Sequence, residues 1–208
     1  REESHVRDLA ARSGDTPAQL VSTIMAELMS ASLALQGPMR LHVALEGDAL
    51  AAWSLVRDRF GGALPAISYP TTSAALTMAI SESEAVAILP APGGMNLWWT
   101  ALCKGGAMEH LHILAALPRT GNWDWPKAVA VADADIASSG SDQSLIGLLT
   151  AQAAQLIKAL PQAKLQTQSD SHSLFVTPDY IAPNDGRLAA IDSAKIIGVL
   201  PRPLGVSP

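Results

Sequence analysis

The chain has 208 residues, 49% of them hydrophobic, a net charge of −5 and a single cysteine, Cys103. This composition is typical of a folded protein with a sizeable core in one or two domains. It lacks the basic stripe that a nucleic-acid partner requires, and one cysteine can form neither an internal disulfide nor a cysteine-based metal site. The apolar stretches are broken before about 18 residues, and the first residues do not resemble a signal peptide. We therefore predict a cytoplasmic protein without nucleic-acid or membrane partners.

Two helices are predicted at the start of the chain. The first ends at Ser13–Gly14, a typical left-handed helix stop. The second begins at Thr16–Pro17, where Thr16 is the expected N-cap and Gln19 completes a capping box, and it ends at Gly37–Pro38. Apolar residues recur along it at intervals of three and four and are predicted to form its packing face: Leu20, Ile24, Leu28, Ala31 and Leu35.

A polar pair lies beside that apolar stripe. Ser32 and Gln36 are four residues apart, and residues with this spacing are neighbours on one helix face. A hydroxyl and an amide placed in this way could bind one ligand together.

From residue 40 the pattern changes to alternating strands and helices. Strands are predicted over 40–45, 66–69, 85–89 and 110–117, with helices beginning at Asp48 and Ser73. This alternation is typical of an α/β domain with a mostly parallel sheet.

Beyond a turn-rich connection at 120–126, the pattern changes again. We predict a strand over 127–132, a helix over 141–160, strands over 163–168 and 173–176, a helix over 185–191 and a strand over 195–200. The order βαββαβ is that of a ferredoxin-like domain. The predicted domains are therefore 1–37, 38–119 and 120–208, in a protein of mixed α+β and α/β class.

Each segment resembles part of a known family. Residues 1–36, with Arg1–Glu2 and then Ser32 and Gln36, resemble the second and third helices of the all-helical chorismate mutases. Residues 39–119 are similar to the second lobe of prephenate dehydratases, which has the fold of a periplasmic-binding-protein lobe, through Thr72–Ala75 and Gly93–Gly94. Residues 127–204 look like an ACT domain whose closing strand is Ile197–Pro201.

The mutase resemblance implies an isomerase that rearranges chorismate to prephenate in the synthesis of phenylalanine and tyrosine. This reaction needs no nucleophile, metal or cofactor, only a folded substrate and stabilised charge. The resemblance implies that Gln36 donates to the ether oxygen and that Ser32 holds a carboxylate. It gives Glu2 a contact to a hydroxyl or, if protonated, to the ether oxygen, and Arg1 the orientation of Glu2 or substrate.

The family's first long helix, with further cationic clamps, is absent from this sequence. We expect it upstream of Arg1, and we expect the active protein to be a homodimer. The alternative function is a non-catalytic regulatory or binding module that senses an aromatic metabolite, with the ACT-like segment as a possible effector site.

Dehydratase activity is not expected, because the Thr-Arg-Phe stretch of that family is missing from the strand at 110–114. His110 and His112 point the same way on this strand, but no third metal ligand is near in sequence, so no metal site is predicted.

Overall fold

A computed structural model describes residues 2–205 of the chain. It contains five α-helices, namely α1 (Glu2–Arg12), α2 (Ala18–Gln36), α3 (Ala49–Phe60), α4 (Thr72–Ser81) and α5 (Ala153–Ala159). Short 3-10 helices cover Trp98–Leu102 and Thr150–Gln152. The strands are β1 (Arg40–Val43), β2 (Ala66–Ser68), β3 (Ala85–Pro90), β4 (His112–Leu117), β5 (Ala128–Ala132), β6 (Asp142–Leu149), β7 (Lys164–Gln168), β8 (His172–Thr177) and β9 (Lys195–Pro201). The protein therefore has the mixed α/β class that the sequence predicts.

The chain forms two compact units, which do not follow the predicted segments. Unit 1 comprises residues up to 91 together with 115–133 and the C-terminal residues from 202, and unit 2 comprises 92–114 and 134–201. The division of the sequence at 37/38 and 119/120 describes family resemblances and stays a prediction.

Unit 1 carries strands in the order β2-β1-β3-β5-β4, of which β4 contributes the residues from Ala115 onward. Strand β1 is parallel to both β2 and β3, whereas β3 is antiparallel to β5. The N-caps of α3 and α4 are Asp48, as predicted, and Thr71, and each accepts a hydrogen bond from a backbone amide three residues later. The carboxyl ends of β1 and β3 thus lie at the same edge of the sheet.

In unit 2 the strand order is β9-β6-β8-β7, and the N-terminal half of β4 pairs in parallel with β9. The predicted helix over 141–160 is wrong in its first part, because residues 142–149 form the almost fully buried strand β6. The short apolar run at 145–149 does not distinguish a buried strand from a buried helix by its sequence pattern. Turns replace the predicted helix over 185–191. The order from β5 onward is therefore ββαβββ and not the predicted ferredoxin-like βαββαβ.

The predicted packing face of α2 is wrong as well. Leu20, Ile24 and Leu28 are at least half exposed, and Leu35 is 90% exposed. The buried residues of α2 include the small side chains Ser22, Ala26 and Ser30.

Small side chains let α2 approach the loop after α3 closely. A Cβ atom at Gly61 would lie 2.6 Å from the carbonyl oxygen of Ala26, and Ser30 Oγ accepts from the backbone amide of Ala63 at 2.9 Å.

The predicted capping box at Thr16 does not form, since Pro17 is the N-cap and no side chain caps the helix.

In length and apolar composition, α2 also passes as a helix that could cross a membrane, against the expectation that no stretch would. However, its close approach to the loop at Gly61–Ala63 makes it a packed element of unit 1. The structure therefore describes α2 as part of an α/β domain.

The single cysteine, Cys103, is a buried core residue. A Cβ atom at Gly147 would lie only 2.6 Å from Cys103 Sγ. Burial raises the pKa of the Cys103 thiol to about 12 from an ordinary value of 9.0. The neighbouring Lys195 donates to the carbonyl oxygens of Leu102 and Glu109, and burial lowers its pKa.

We expect Cys103 of the native protein to resist labelling by dithiobis(nitrobenzoate) at pH 8, because the thiolate is the reactive form. Protein unfolded in urea should label within minutes. Since the folded pKa lies above the unfolded one, the contribution of Cys103 to stability should fall as the pH rises from about 9 toward 12, whereas that of Lys195, whose pKa is lowered, should change in the opposite direction. Equally fast labelling of native and unfolded protein would contradict this burial.

Candidate functional site

The structure keeps Ser32 and Gln36 together on one face of α2. Gln36 Nε2 donates to Ser32 Oγ at 2.9 Å, and both residues are exposed. The amide of Gln36 and the hydroxyl of Ser32 are hydrogen-bonded to each other. A ligand that bound both groups would replace this hydrogen bond with its own. The face of α2 that carries Ser32 and Gln36 is thus formed and accessible.

Glu2 is placed elsewhere, in a cluster of charged residues that joins α1 to the rest of unit 1. Its carboxylate accepts from Arg59 Nη1 at 2.6 Å and from Arg119 Nη2. Glu3 lies 3.3 Å from Arg59 Nη2 and 3.2 Å from Arg119 Nε. Arg59 and Arg119 are 6% and 2% exposed. In the part of the chain that the structure describes, Glu2 makes no hydrogen bond to Ser32 or Gln36, and Arg1 lies outside this part.

A pair of buried arginines facing two glutamates was not predicted. The sequence shows Arg59 only as one of the charges at the end of α3, and Arg119 only as the residue before the turn-rich connection at 120–126. Their partners lie 57 and 117 positions away in the chain. No local pattern could have paired them.

An open cavity of about 900 Å³ in unit 1 offers space for a small ligand. Leu45 and Glu46, which follow β1, and Pro90, at the end of β3, line one side. Ligands of α/β proteins commonly bind at this edge, beyond the carboxyl ends of parallel strands. The apolar part of the wall consists mainly of Leu45, Leu55, Pro90, Pro118 and Leu204.

A chain of hydrogen bonds crosses the wall of this cavity and fixes its polar groups. Thr120 Oγ1 donates to Gln19 Oε1, and Gln19 Nε2 donates to Asp58 Oδ1. The amide of Gln19, predicted to cap α2, thus joins α2 to α3 and to the segment after β4. At the start of α3, Asp48 Oδ2 accepts from the amide of Ala51 at 2.9 Å.

Unit 2 has a second open cavity, of about 870 Å³, beside the turn between β7 and β8. Ser171 Oγ lies 2.8 Å from His172 Nδ1, and Ser169 Oγ accepts from the amide of His172 at 3.0 Å. These bonds are internal to the turn and stabilise its shape. Ser171 and His172 are therefore explained as turn residues.

The structure places His110 and His112, the two histidines considered as metal ligands, in different surroundings. His110 is exposed, and His112 Nδ1 donates to the carbonyl oxygen of Ala134 at 3.0 Å. Among residues 2–205, no group of three or more His, Cys, Asp or Glu side chains is arranged to hold a metal ion.

Comparison with known proteins gives similarity of fold. No protein-family model and no curated protein matches the sequence. One solved structure, described as "GqqA- a novel type of quorum quenching acylases", has a TM-score of 0.52 and 13% identity, with 80% of this chain and 96% of that chain covered. A second, prephenate dehydratase from Streptococcus mutans, has a TM-score of 0.50 and 11% identity, with 78% of this chain and 97% of that chain covered.

The extent of these matches changes the interpretation of the C-terminal segment. Each covers more residues than the predicted segments 1–37 and 38–119 contain together. The fold shared with a prephenate dehydratase therefore includes part of 120–208, and the ACT-like interpretation of that segment remains without support. At these identities the similarity concerns the fold alone.

Proposed function

We propose that this protein is a chorismate mutase, with Ser32 and Gln36 of α2 at its active site. The observation that carries the proposal is the pair itself, an exposed amide that donates at 2.9 Å to an exposed hydroxyl on one helix face. In the proposed site, Gln36 donates to the ether oxygen, which gains negative charge as the bond breaks, and Ser32 binds a substrate carboxylate.

The surroundings of the pair support an additional helix in the active protein. Leu28 and Leu35, within one or two turns of Ser32, are 62% and 90% exposed. Apolar side chains of this size on one stripe are typical of a face that packs against a partner. A covering helix, from the same protein or from a second copy in a homodimer, would supply the cationic groups that a dicarboxylate substrate needs.

Glu2 has a different place in the proposal from the one that the family resemblance implies. Its carboxylate already binds two guanidinium groups. We propose that Glu2 anchors α1 and that substrate contacts from α1 come from other residues or arise only when the covering helix is present.

The fold agrees with an origin in aromatic biosynthesis. One of the structural neighbours is a prephenate dehydratase, and prephenate is the product of the proposed reaction. A pair of mutase helices joined to a domain of this fold would place two successive activities in one chain. Alternatively, it would place the mutase activity beside a domain that no longer catalyses the next step.

The proposal is tested by incubating the protein, with any residues that naturally precede Arg1, with chorismate and following the loss of chorismate absorbance. The reaction is an isomerisation, so the product must have unchanged mass and the proton NMR spectrum of prephenate. Consumption without prephenate, or no consumption at any protein concentration, would contradict the proposal.

A second candidate is a non-catalytic binding module, and the cavity of unit 1 favours it. This cavity lies beyond the carboxyl ends of β1 and β3 and combines apolar walls with fixed polar groups. Sites for small organic ligands commonly have this composition. Binding of a small ligand without chorismate turnover would support this candidate over the first.

A further inference from the structure

The cavity of unit 1 has a strongly uneven charge. Three carboxylates line it, those of Glu46, Asp48 and Asp58, against the single ammonium group of Lys127. Carboxylates in a concave site with apolar walls focus a negative potential on the space between them. The charge of the lining therefore favours a cationic ligand.

Besides Lys127, the start of α3 would attract an anion, but it already has an internal partner. The N-terminus of α3 opens toward the cavity through Ala51 and Ala52, and free backbone amides at a helix start bind anions well. Here the side chain of Asp48 accepts the hydrogen bond of the Ala51 amide. A ligand carboxylate or phosphate would thus compete with an internal carboxylate and meet two further ones.

The hydrogen-bond partner of the Asp58 carboxylate is the uncharged amide of Gln19, which fixes the carboxylate without neutralising its charge. Asp58 Oδ1 accepts from Gln19, whose own oxygen is taken by Thr120. Within residues 2–205, no cation pairs with Asp58 or Glu46. Both carboxylates keep accepting capacity and negative charge that the protein does not neutralise.

We propose that this cavity binds a small ligand with an apolar body and an ammonium group. The ammonium group lies against Asp58, and the apolar body lies against Leu45, Leu55 and Pro118. This inference rests on the ligand-binding part of the second candidate function, and it holds whether or not α2 converts chorismate.

The test compares three probes of nearly equal size by calorimetry on the whole chain: 2-phenylethylamine, 2-phenylethanol and 3-phenylpropanoate. We expect the amine to bind at least tenfold more tightly than the alcohol, and the carboxylate to show no binding. A hydrogen bond to a charged group supports a difference of about this size. Equal binding of amine and alcohol would overturn the assigned ligand class but leave the binding module standing, whereas no binding of any probe would overturn both.

Asp58→Asn keeps the oxygen that accepts from Gln19 and removes only the charge. We expect it to weaken binding of 2-phenylethylamine about tenfold, with Glu46→Gln acting in the same direction. Asp8→Asn, an exposed position on α1 away from the cavity, is the matched control and should bind as the wild type does. Unchanged affinity in both cavity variants would overturn the proposal.

Discussion

Replacing Arg119 by methionine is expected to destabilise the protein by about 3 kcal/mol. Arg119 is 2% exposed and binds the carboxylates of Glu2 and Glu3. Methionine fills much of the same volume but leaves Glu3, itself 8% exposed, with less compensation for its buried charge. Removing one partner of a buried ion pair costs roughly 3–5 kcal/mol, and the lower value applies because Arg59 still binds both glutamates.

The measurement is urea unfolding followed by circular dichroism, together with hydrogen exchange of the α1 amides. Exchange in α1 should accelerate more than exchange in β6, because the cluster joins α1 to unit 1. Arg187→Met is the control, since Arg187 pairs with Asp185 at an exposed site, where ion pairs contribute little. Equal unfolding midpoints for the two variants would show that the cluster does not hold α1.

Replacing Gly198 by alanine is expected to destabilise unit 2 by about 3 kcal/mol or more. Gly198 of β9 pairs with Ile113 of β4, and an added Cβ atom would lie 2.5 Å from the Ile113 carbonyl oxygen and 2.9 Å from its Cα. Backbone atoms of a paired strand cannot rotate away as a flexible side chain can. The strands would have to separate, which exceeds the usual 1–3 kcal/mol cost of overpacking.

Gly186→Ala is the matched control, because a Cβ atom at Gly186 meets nothing within 4 Å. This variant should be neutral or slightly stabilised through the unfolded chain. Urea midpoints measured on both variants decide the matter, and a midpoint of Gly198→Ala equal to that of Gly186→Ala would refute the close approach of β4 and β9.

Local patterns in the sequence predicted most strands and the ends of the N-terminal helices. The strand at 195–200 and the stop at Gly37 were found because alternation and backbone constraints act over a few residues. The prediction of a helix over 141–160 was wrong in its first part, because β6 is buried on both faces and its sequence has no alternation of apolar and polar residues. The predicted packing face of α2 was wrong because small residues, and not large apolar ones, make its close contact with the loop after α3.

The candidate site divides in the same way. The proximity of Ser32 and Gln36 follows from helix geometry alone and was predictable. The cavity residues Gln19, Asp58 and Thr120 come together only through the fold, across 39 and 101 positions of sequence. Such residues have the local sequence context of caps or surface positions, because their partners are distant in the chain.

The proposed action of Gln36 on chorismate is tested by measuring kcat/KM for chorismate in Gln36→Ala. Loss of the donor to the ether oxygen should lower this value on the order of 100-fold, with an unchanged circular dichroism spectrum because Gln36 is exposed. Gln155→Ala, at an exposed position on α5, should retain the wild-type value. Equal values for Gln36→Ala and the wild type would contradict the claim.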